Sequence, residues 1–201
     1  MLPELATERL TVRLARPGME RAMADFLVQN FAGHLDRWSP PFTPALFTER
    51  FWAERLVLAV DEFEADRAVR FVLQHPGPVE GPILGTANYT NIVRGAFQAC
   101  HLGYQVAAAH QGRGLMAEAL RATNRFMFES LRLHRIMANF LPENERSRRL
   151  AAKLGFIEEG VAPRYLFING AWRDHVLSSL VNPAFDDAWM QPRETAGGER
   201  A

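Results

Sequence analysis

A glycine-rich turn near the middle of the chain is the feature that most constrains its fold. Residues 111–116 are Gln-Gly-Arg-Gly-Leu-Met, and they follow a strand-like segment, Leu102 to Val106, and precede a helical pattern. A turn that leaves a strand and enters a helix exposes backbone N–H groups with partial positive charge, which suit a phosphate. Gly112 and Gly114 allow an anion to approach the backbone closely, and Arg113 adds a charged donor. The turn therefore predicts either a phosphate-binding site or an ordinary strand-to-helix connection.

Several other catalytic and binding motifs are excluded. The chain has no P-loop, and its glycine turn lacks the third glycine of a dinucleotide-binding fingerprint. There is no Gly-x-Ser-x-Gly motif, and Cys100 lacks the sequence features of a catalytic thiol. The six histidines are scattered without His-x-x-x-His spacing, so the sequence predicts no metal site.

Composition limits the class of protein and of partner. With 201 residues, 48% hydrophobic and 23% charged, the chain suits one globular domain. The 23 basic and 23 acidic side chains balance, which predicts neither direct nucleic-acid binding nor a membrane partner. Cys100 is the single cysteine, and no signal-peptide pattern opens the chain, so we expect a cytoplasmic protein without an intrachain disulfide.

The first half of the chain alternates between strand and helix patterns. Leu10 to Leu14 alternates apolar and polar residues, as a half-buried strand does, and a helical pattern follows. Thr48 is placed to cap a second helix that runs to about Ala65, with Leu58 among the residues expected on or beside its buried face. The proline-rich segment 38–44 between these helices is either a connector or a lid over a substrate site. Three strands are then predicted as an antiparallel meander: 68–74, 83–92 and 97–106.

The second half begins with the helix that the glycine turn opens. This helix carries an apolar stripe and ends near Leu131; the stripe consists of Met116, Ala119, Leu120, Thr123 and Met127. A strand at 135–140 and a helix stopped by Gly155 follow. Asn169-Gly170, between two apolar runs, predicts a β-hairpin. We expect a single domain over residues 1–183 and a disordered tail over 184–201.

Two clusters in this order resemble the GNAT superfamily of N-acetyltransferases. Gln111 and Gly114 match its pattern Gln/Arg-x-x-Gly-x-Gly/Ala, which holds the pyrophosphate of acetyl-CoA, while Met116 departs from the last position. In the second cluster a strand leads into Asn144-Glu-Arg-Ser147 and then into a helix that ends in Leu-Gly-Phe. Both clusters at the expected separation are much more specific than either alone.

Nearly all of residues 5–183 are similar to the RimJ branch of the ribosomal-protein N-terminal acetyltransferases. The further matching stretches are Thr-Glu-Arg-Leu from Thr7, His-Arg-Ile-Met-Ala-Asn from His134, and Asn-Gly-Ala-Trp-Arg-Asp-His-Val-Leu from Asn169. Met116 belongs to that branch's own version of the turn. The resemblance implies the GNAT fold, an α+β fold with a mixed, mostly antiparallel sheet whose central strands splay apart between flanking helices.

The resemblance also implies acetyl-CoA as the acetyl donor, without a metal. Its pantetheine arm is expected between the strands matching 102–106 and 136–140, and its phosphates at the glycine turn. Asn144 is alternatively a helix cap, and Asn139 an ordinary strand-end residue. The residues that this comparison assigns to cofactor binding are Tyr104, Val106, Gln111, Gly112, Arg113, Gly114, Leu115, Met116, Asn139, Asn144, Arg146 and Ser147.

The catalytic assignments are less complete. Many relatives have a tyrosine where this chain has Ala151, and the resemblance makes Ser147 its substitute at the CoA sulfur; alternatively Ser147 is a helix-start serine bonded to backbone. Relatives use a glutamate as general base on the strand matching Ala99 to Val106, where this chain has Cys100 and His101. His101 is the candidate general base because imidazole titrates near neutral pH. Alternatively, His101 is a packed or solvent-facing strand residue. Asp174 and His175 either orient the acceptor or form a solvated strand end.

The resemblance predicts an acetyl-CoA-dependent enzyme that acetylates the N-terminal amine of a protein, a ribosomal protein beginning with alanine. An α-amino group has a pKa of about 8 and a lysine about 10.4, so the former needs less help from a base. Two alternatives stay open: an enzyme acting on a small amine such as an antibiotic or polyamine, and an acetyl-CoA-binding module without catalysis.

Overall fold

An eight-stranded sheet organises the computed structural model, which describes residues 2–41 and 43–190. The strands are β1 (Glu4–Ala6), β2 (Thr11–Leu14), β3 (Val69–Gln74), β4 (Gly85–Val93), β5 (Ala99–Val106), β6 (Arg135–Met137), β7 (Ile157–Ile168) and β8 (Ala171–Val181). Their spatial order is β1-β2-β3-β4-β5-β6-β8-β7. The β5–β6 pair is parallel and the other named pairs are antiparallel. The predicted α+β class and the β3–β4–β5 meander are confirmed.

Helices cover both faces of this sheet. They are α1 (Glu20–Asn30), α2 (Glu49–Glu64), α3 (Leu115–Glu129) and α4 (Glu145–Lys153). Side chains alternate between faces along each strand, so neighbouring residues of β3 enter different cores. Phe71 packs in one core with Leu120 of α3 and Ala151 of α4, whereas Val72 packs in the other with α1 and α2. We call these sides the α3/α4 face and the α1/α2 face.

Local signals located the helices and the hairpin correctly. Thr48 Oγ1 accepts a hydrogen bond from the Phe51 amide at 3.3 Å and caps α2. The predicted stripe of α3 is buried along its whole length. Asn169 and Gly170 both have positive φ and join β7 to β8, as a tight hairpin turn requires.

Three expectations need adjustment. Ala59 is buried, as expected of α2, but Leu58 is 43% exposed and Leu56 is buried in its place, because apolar residues surround α2 on several sides and its sequence does not define one stripe. Strand β1, too short to show alternation, was not predicted. Of the expected disordered tail, residues 184–190 have described structure in which Phe185 and Trp189 stack at 5.4 Å, and residues 191–201 lie outside the described residues.

The central strands diverge, as the fold assignment implied. Pairing between β5 and β6 is confined to Ala99–His101 against Arg135–Met137. Beyond it, Ala138 and Phe140 bond to β8, while β5 continues to Val106. The flank of β5 from 102 to 106 that faces away from β4 therefore borders a gap, which we call the split.

Within the part of the chain that the structure describes, no helix is both long and apolar enough to cross a membrane.

Gly85 and Gly103 form a matched pair for testing the packing beside the split. A Cβ on Gly85 would lie 2.5 Å from the Gln105 carbonyl oxygen and 3.3 Å from Val106 Cα, whereas one on Gly103 would meet nothing within 4 Å. We expect Gly85→Ala to lower the free energy of unfolding by about 2 kcal/mol, because backbone must move. Gly103→Ala should leave it unchanged or raise it by up to about 1 kcal/mol. Urea denaturation measures both, and equal effects would contradict the close approach at Gly85.

Candidate active site

The glycine turn lies at the open end of the split. After β5, a short 3-10 turn at Ala108–His110 leads to Gly112 and Gly114, which have φ of +72° and +75° and so take the left-handed conformation that glycine favours. Helix α3 begins at Leu115, and Gly114, its N-cap, has no side chain to occupy the first amides. Those amides have no partner within the helix, and a Cβ at Gly112 would meet nothing within 4 Å. The predicted strand–turn–helix arrangement is present, with open space in front of it.

An acidic residue in the first turn of α3 is neutralised by the N-terminal segment. Glu118 accepts hydrogen bonds from the Thr7 hydroxyl at 2.6 Å and from the Arg9 side chain at 2.7 Å. Burial opposes ionisation, but these bonds together hold the pKa of Glu118 below its usual range. Arg9 also donates to the carbonyl of Arg113 at 2.9 Å. The Thr-Glu-Arg-Leu stretch thus fixes the turn and neutralises the anionic group that would repel a phosphate there, a role that the sequence did not reveal.

Gln111 connects the turn after α1 to helix α4 at the end of the split. Its side-chain amide lies 3.2 Å from Nε2 of His34, and its carbonyl oxygen accepts a hydrogen bond from Arg146 of α4. His34, in the turn after α1, in turn contacts the Val106 carbonyl oxygen at 2.9 Å. Sequence analysis missed His34, because only the fold places that histidine beside the glycine turn.

Ser147 and Tyr104 face each other across the split. The Tyr104 hydroxyl lies 2.6 Å from Ser147 Oγ, and burial raises the pKa of Tyr104, so its phenol stays protonated. Asn144 Oδ1 accepts from the Ser147 amide at 3.1 Å and caps α4, the alternative that the sequence left open for Asn144. The Ser147 hydroxyl is therefore oriented by Tyr104. The part played by the Tyr104 side chain was not foreseen, because it depends on a contact 43 residues away.

His101 lies where the split begins. It is the last β5 residue paired with β6, and alternation with Cys100 and Leu102, which are in the α3/α4 core, puts its side chain on the α1/α2 face. Its Nδ1 is buried without a hydrogen-bond partner in the described residues, and burial lowers the pKa of the imidazole. A neutral ring with a free nitrogen at this point is suited to accept a proton.

The proline-rich segment spans the gap on this same face. Ser39 is 2% exposed; its hydroxyl lies 3.3 Å from the side-chain amide of Gln105, and its carbonyl accepts from the amide of Asn169 in the hairpin turn at 3.1 Å. The segment therefore links β5 to the hairpin on the α1/α2 face, and a role as a lid over a substrate site stays a prediction. Phe42 lies outside the described residues.

Comparison with known proteins agrees with this geometry. Residues 9–157 match the family described as an acetyltransferase (GNAT) domain. The chain belongs to the GNAT family.

Relatives of this GNAT chain include well-matched full-length proteins. It is 42% identical over 179 residues to the Escherichia coli "[Ribosomal protein uS5]-alanine N-acetyltransferase", covering 89% of this chain and 91% of the relative. The Vibrio fischeri ribosomal-protein-S5-alanine acetyltransferase structure superposes with a TM-score of 0.86 at 38% identity, covering 92% of this chain and 99% of that one. Mycobacterium smegmatis RimJ in complex with CoA-disulfide gives 0.79 at 29% identity, covering 90% and 86%. The chain is thus an N-acetyltransferase of this family.

Other predicted residues of the GNAT chain have structural roles. Asn139 donates to the Tyr165 hydroxyl at 3.1 Å and accepts from the Ser178 amide at 3.2 Å, so its amide is engaged within the protein. Asp174 accepts from the Arg164 amide at 2.8 Å and holds the irregular part of β7. His175 is 3% exposed, so it is packed rather than part of a solvated strand end.

The described part of the GNAT chain contains candidate metal ligands and the thiol of Cys100. Among residues 2–41 and 43–190, no three His, Cys, Asp or Glu side chains are grouped so that they could hold a metal ion. Cys100 is buried, which raises the pKa of its thiol to about 12 and keeps it protonated.

The environment of His101 predicts its titration. Burial disfavours the imidazolium, so the NMR titration midpoint of His101 should lie below the usual value of about 6.5. Because the folded-state pKa is the lower one, the contribution of His101 to stability is present above pH 6.5 and is lost as the pH falls through the folded-state pKa. His101→Gln identifies the resonance by its disappearance. A midpoint at or above 6.5 would show that the imidazole is not desolvated.

Proposed function

We propose that this protein transfers the acetyl group of acetyl-CoA to the N-terminal amine of a polypeptide, and that the acceptor is a ribosomal protein beginning with alanine. The observation that carries the proposal is the continuous path from the open glycine turn, along the free flank of β5, to the neutral imidazole of His101. The names of the Escherichia coli and Vibrio fischeri relatives support the choice of acceptor. Such an acceptor would place the enzyme in the cytoplasm.

The glycine turn fits the phosphates of acetyl-CoA. The residues that would hold them are the amides from Gly112 to Met116 and the side chain of Arg113, with Arg146 adding positive charge nearby. The backbone of Tyr104 and Val106 borders the split, where the pantetheine amides would bond. Acetyl-CoA would supply the acetyl group as a thioester. It is the donor in this proposal, and no metal takes part.

His101 and Ser147 would perform the proton transfers from opposite faces of the sheet. His101 would accept a proton from the acceptor ammonium, which needs little help because an α-amino group has a pKa of about 8. Ser147, held in position by the hydroxyl of Tyr104, would pass a proton to the departing sulfur and would be restored by the second proton that the attacking nitrogen loses as the amide forms. Asn144 supports this arrangement indirectly, by capping the helix that carries Ser147.

The charge of the acceptor side disfavours a polyamine. A deep acidic pocket would favour such a substrate. Instead, the pocket between α1, α2 and the sheet contains Arg55 and Arg70, which share the single carboxylate of Glu62. The surplus positive charge would repel a polycation.

Gly114→Asp and Gly114→Asn test the phosphate site as a matched pair. Both side chains tolerate positive φ, but Asp adds a negative charge and competes for Arg9, whose Nη2 would lie 3.6 Å from a Cβ at residue 114. We expect Gly114→Asp to bind CoA at least tenfold more weakly than Gly114→Asn, a difference of about 1.4 kcal/mol by calorimetry. Equal affinities would show that the pyrophosphate is not bound at this turn.

Turnover of an alanine-starting peptide tests the reaction itself. Purified protein with acetyl-CoA should release CoA thiol, and a peptide with a blocked N-terminus should give none. Ser147→Ala should lower kcat by about tenfold to a hundredfold with little change in acetyl-CoA affinity, because the hydroxyl acts on the leaving group. Equal losses in kcat and affinity would restrict Ser147 to binding. CoA binding without release from any peptide or amine would instead support a non-catalytic module.

A further inference from the structure

A cavity of about 200 Å³ lies between α1, α2 and the α1/α2 face of the sheet. Its helix side is apolar, with Phe26, Trp52 and Leu56 among the lining residues. Its sheet side is polar, because β3, β4 and β5 contribute Arg70, Thr86, Asn88 and Gln105, and Arg55 of α2 completes it. An apolar wall facing convergent polar groups is the usual composition of a ligand pocket.

Two of the residues that line this cavity, Arg55 and Thr86, each carry a polar atom without a hydrogen-bond partner in the described residues. Arg55 Nη1 and Thr86 Oγ1 are buried, and neither forms a hydrogen bond within the described residues. Buried donors left unpaired are costly, so each such group in a folded protein calls for an explanation. A ligand that accepts hydrogen bonds would satisfy both atoms.

The charge of the cluster indicates the sign of that ligand. Glu62 accepts from Arg70 Nε at 2.7 Å and from Arg55 Nη2 at 3.1 Å. Burial opposes ionisation of this carboxyl, but the two arginines hold the pKa of Glu62 below its usual range, so it stays negative. One carboxylate between two guanidinium groups leaves one positive charge, and Arg55 Nη1 is not engaged by Glu62. A carboxylate is the complementary group.

The cavity lies on the same face of the sheet as His101, where the acceptor amine would react in the proposed function, and is lined by residues of the neighbouring strand. Asn88 pairs with Gly103 and Thr86 pairs with Gln105 across β4 and β5. Gly103 lies on the same face as His101, and a Cβ there would meet nothing within 4 Å. Asn88 therefore lies two residues farther along the sheet than His101, about 7 Å, and one strand away, about 5 Å. Two or three extended peptide residues of about 3.3 Å each cover that distance.

We propose that this cavity binds an acidic side chain at the second, third or fourth residue of the acceptor polypeptide, through Arg55 Nη1 and the Thr86 hydroxyl. The inference rests on the proposed function, since it names a determinant of the acceptor for the same reaction. It adds a specificity pocket to a site otherwise defined only by the N-terminal amine.

Paired peptides measure this preference directly. Alanine-starting peptides carrying Glu at position 2, 3 or 4 are compared with the same peptides carrying Gln, by CoA release. At one position we expect the Glu peptide to have a kcat/KM at least tenfold higher, mainly through KM. Arg55→Gln should bring that ratio close to one. Arg21→Gln is the matched control, because it makes the same charge change on an exposed part of α1 and should keep the wild-type ratio.

Thr86→Val keeps the proposal falsifiable if Arg55→Gln folds poorly. The Thr86 hydroxyl has no partner within the described residues, so valine should leave Tm unchanged or higher while lowering the Glu-to-Gln ratio several-fold. A fall in Tm without a change in the ratio would make the hydroxyl structural and overturn the inference.

The two levels of the proposal fail differently. Efficient acetylation of every peptide with equal rates for Glu and Gln would overturn the acidic pocket and leave the proposed function standing. Acetylation of no peptide in either series would overturn the proposed function and the inference with it.

Discussion

The end of pairing between β5 and β6 is the constraint on which the rest of the site depends. Backbone groups in a sheet must find partners; past Met137 the chain of β6 stays bonded to β8 through Ala138 and Phe140, whereas the β5–β6 pairing ends at His101. The flank of β5 from 102 to 106 is left unpaired by β6, and in the proposed function the pantetheine amides would bond there. Helix α4 and the turn before α3 line the same gap because both follow strands that end there. The fold thus creates a binding site by leaving part of its own sheet incomplete.

Electrostatics divides the site into two regions. At the glycine turn, helix amides and the positive charges of Arg113 and Arg146 lie close together, and Glu118, the carboxylate that would oppose an anion there, is bound by Thr7 and Arg9. At the other end, His101 is kept neutral by burial and remains able to accept a proton. In the proposed function, a charged phosphate would therefore be bound and a proton removed in separate environments at the two ends of the free flank of β5.

Local chemistry explains which features the sequence predicted. The left-handed glycines of the turn, the Thr48 cap and the Asn169-Gly170 hairpin depend on a few neighbouring residues, so their patterns suffice. His34 beside Gln111, Arg9 on Glu118 and Tyr104 against Ser147 are contacts between residues more than 40 positions apart, and no local pattern reports them. The missing family tyrosine at Ala151 illustrates the difference. Sequence showed the absence, but only the fold showed a hydroxyl from β5 bonded to Ser147.

Tyr104 and His101 lie on the same strand, but their side chains are on opposite faces of the sheet. This difference has a consequence for the kinetics of the proposed reaction. Residues an odd number apart on a strand face opposite ways, so in the proposed function the donor would bind on the side of Ser147 and the acceptor on the side of Ser39. Neither entrance blocks the other. Both substrates can therefore be held at once, with the backbone of a single strand between them. Such an arrangement favours direct transfer within a ternary complex, in which either product departs without waiting for its neighbour.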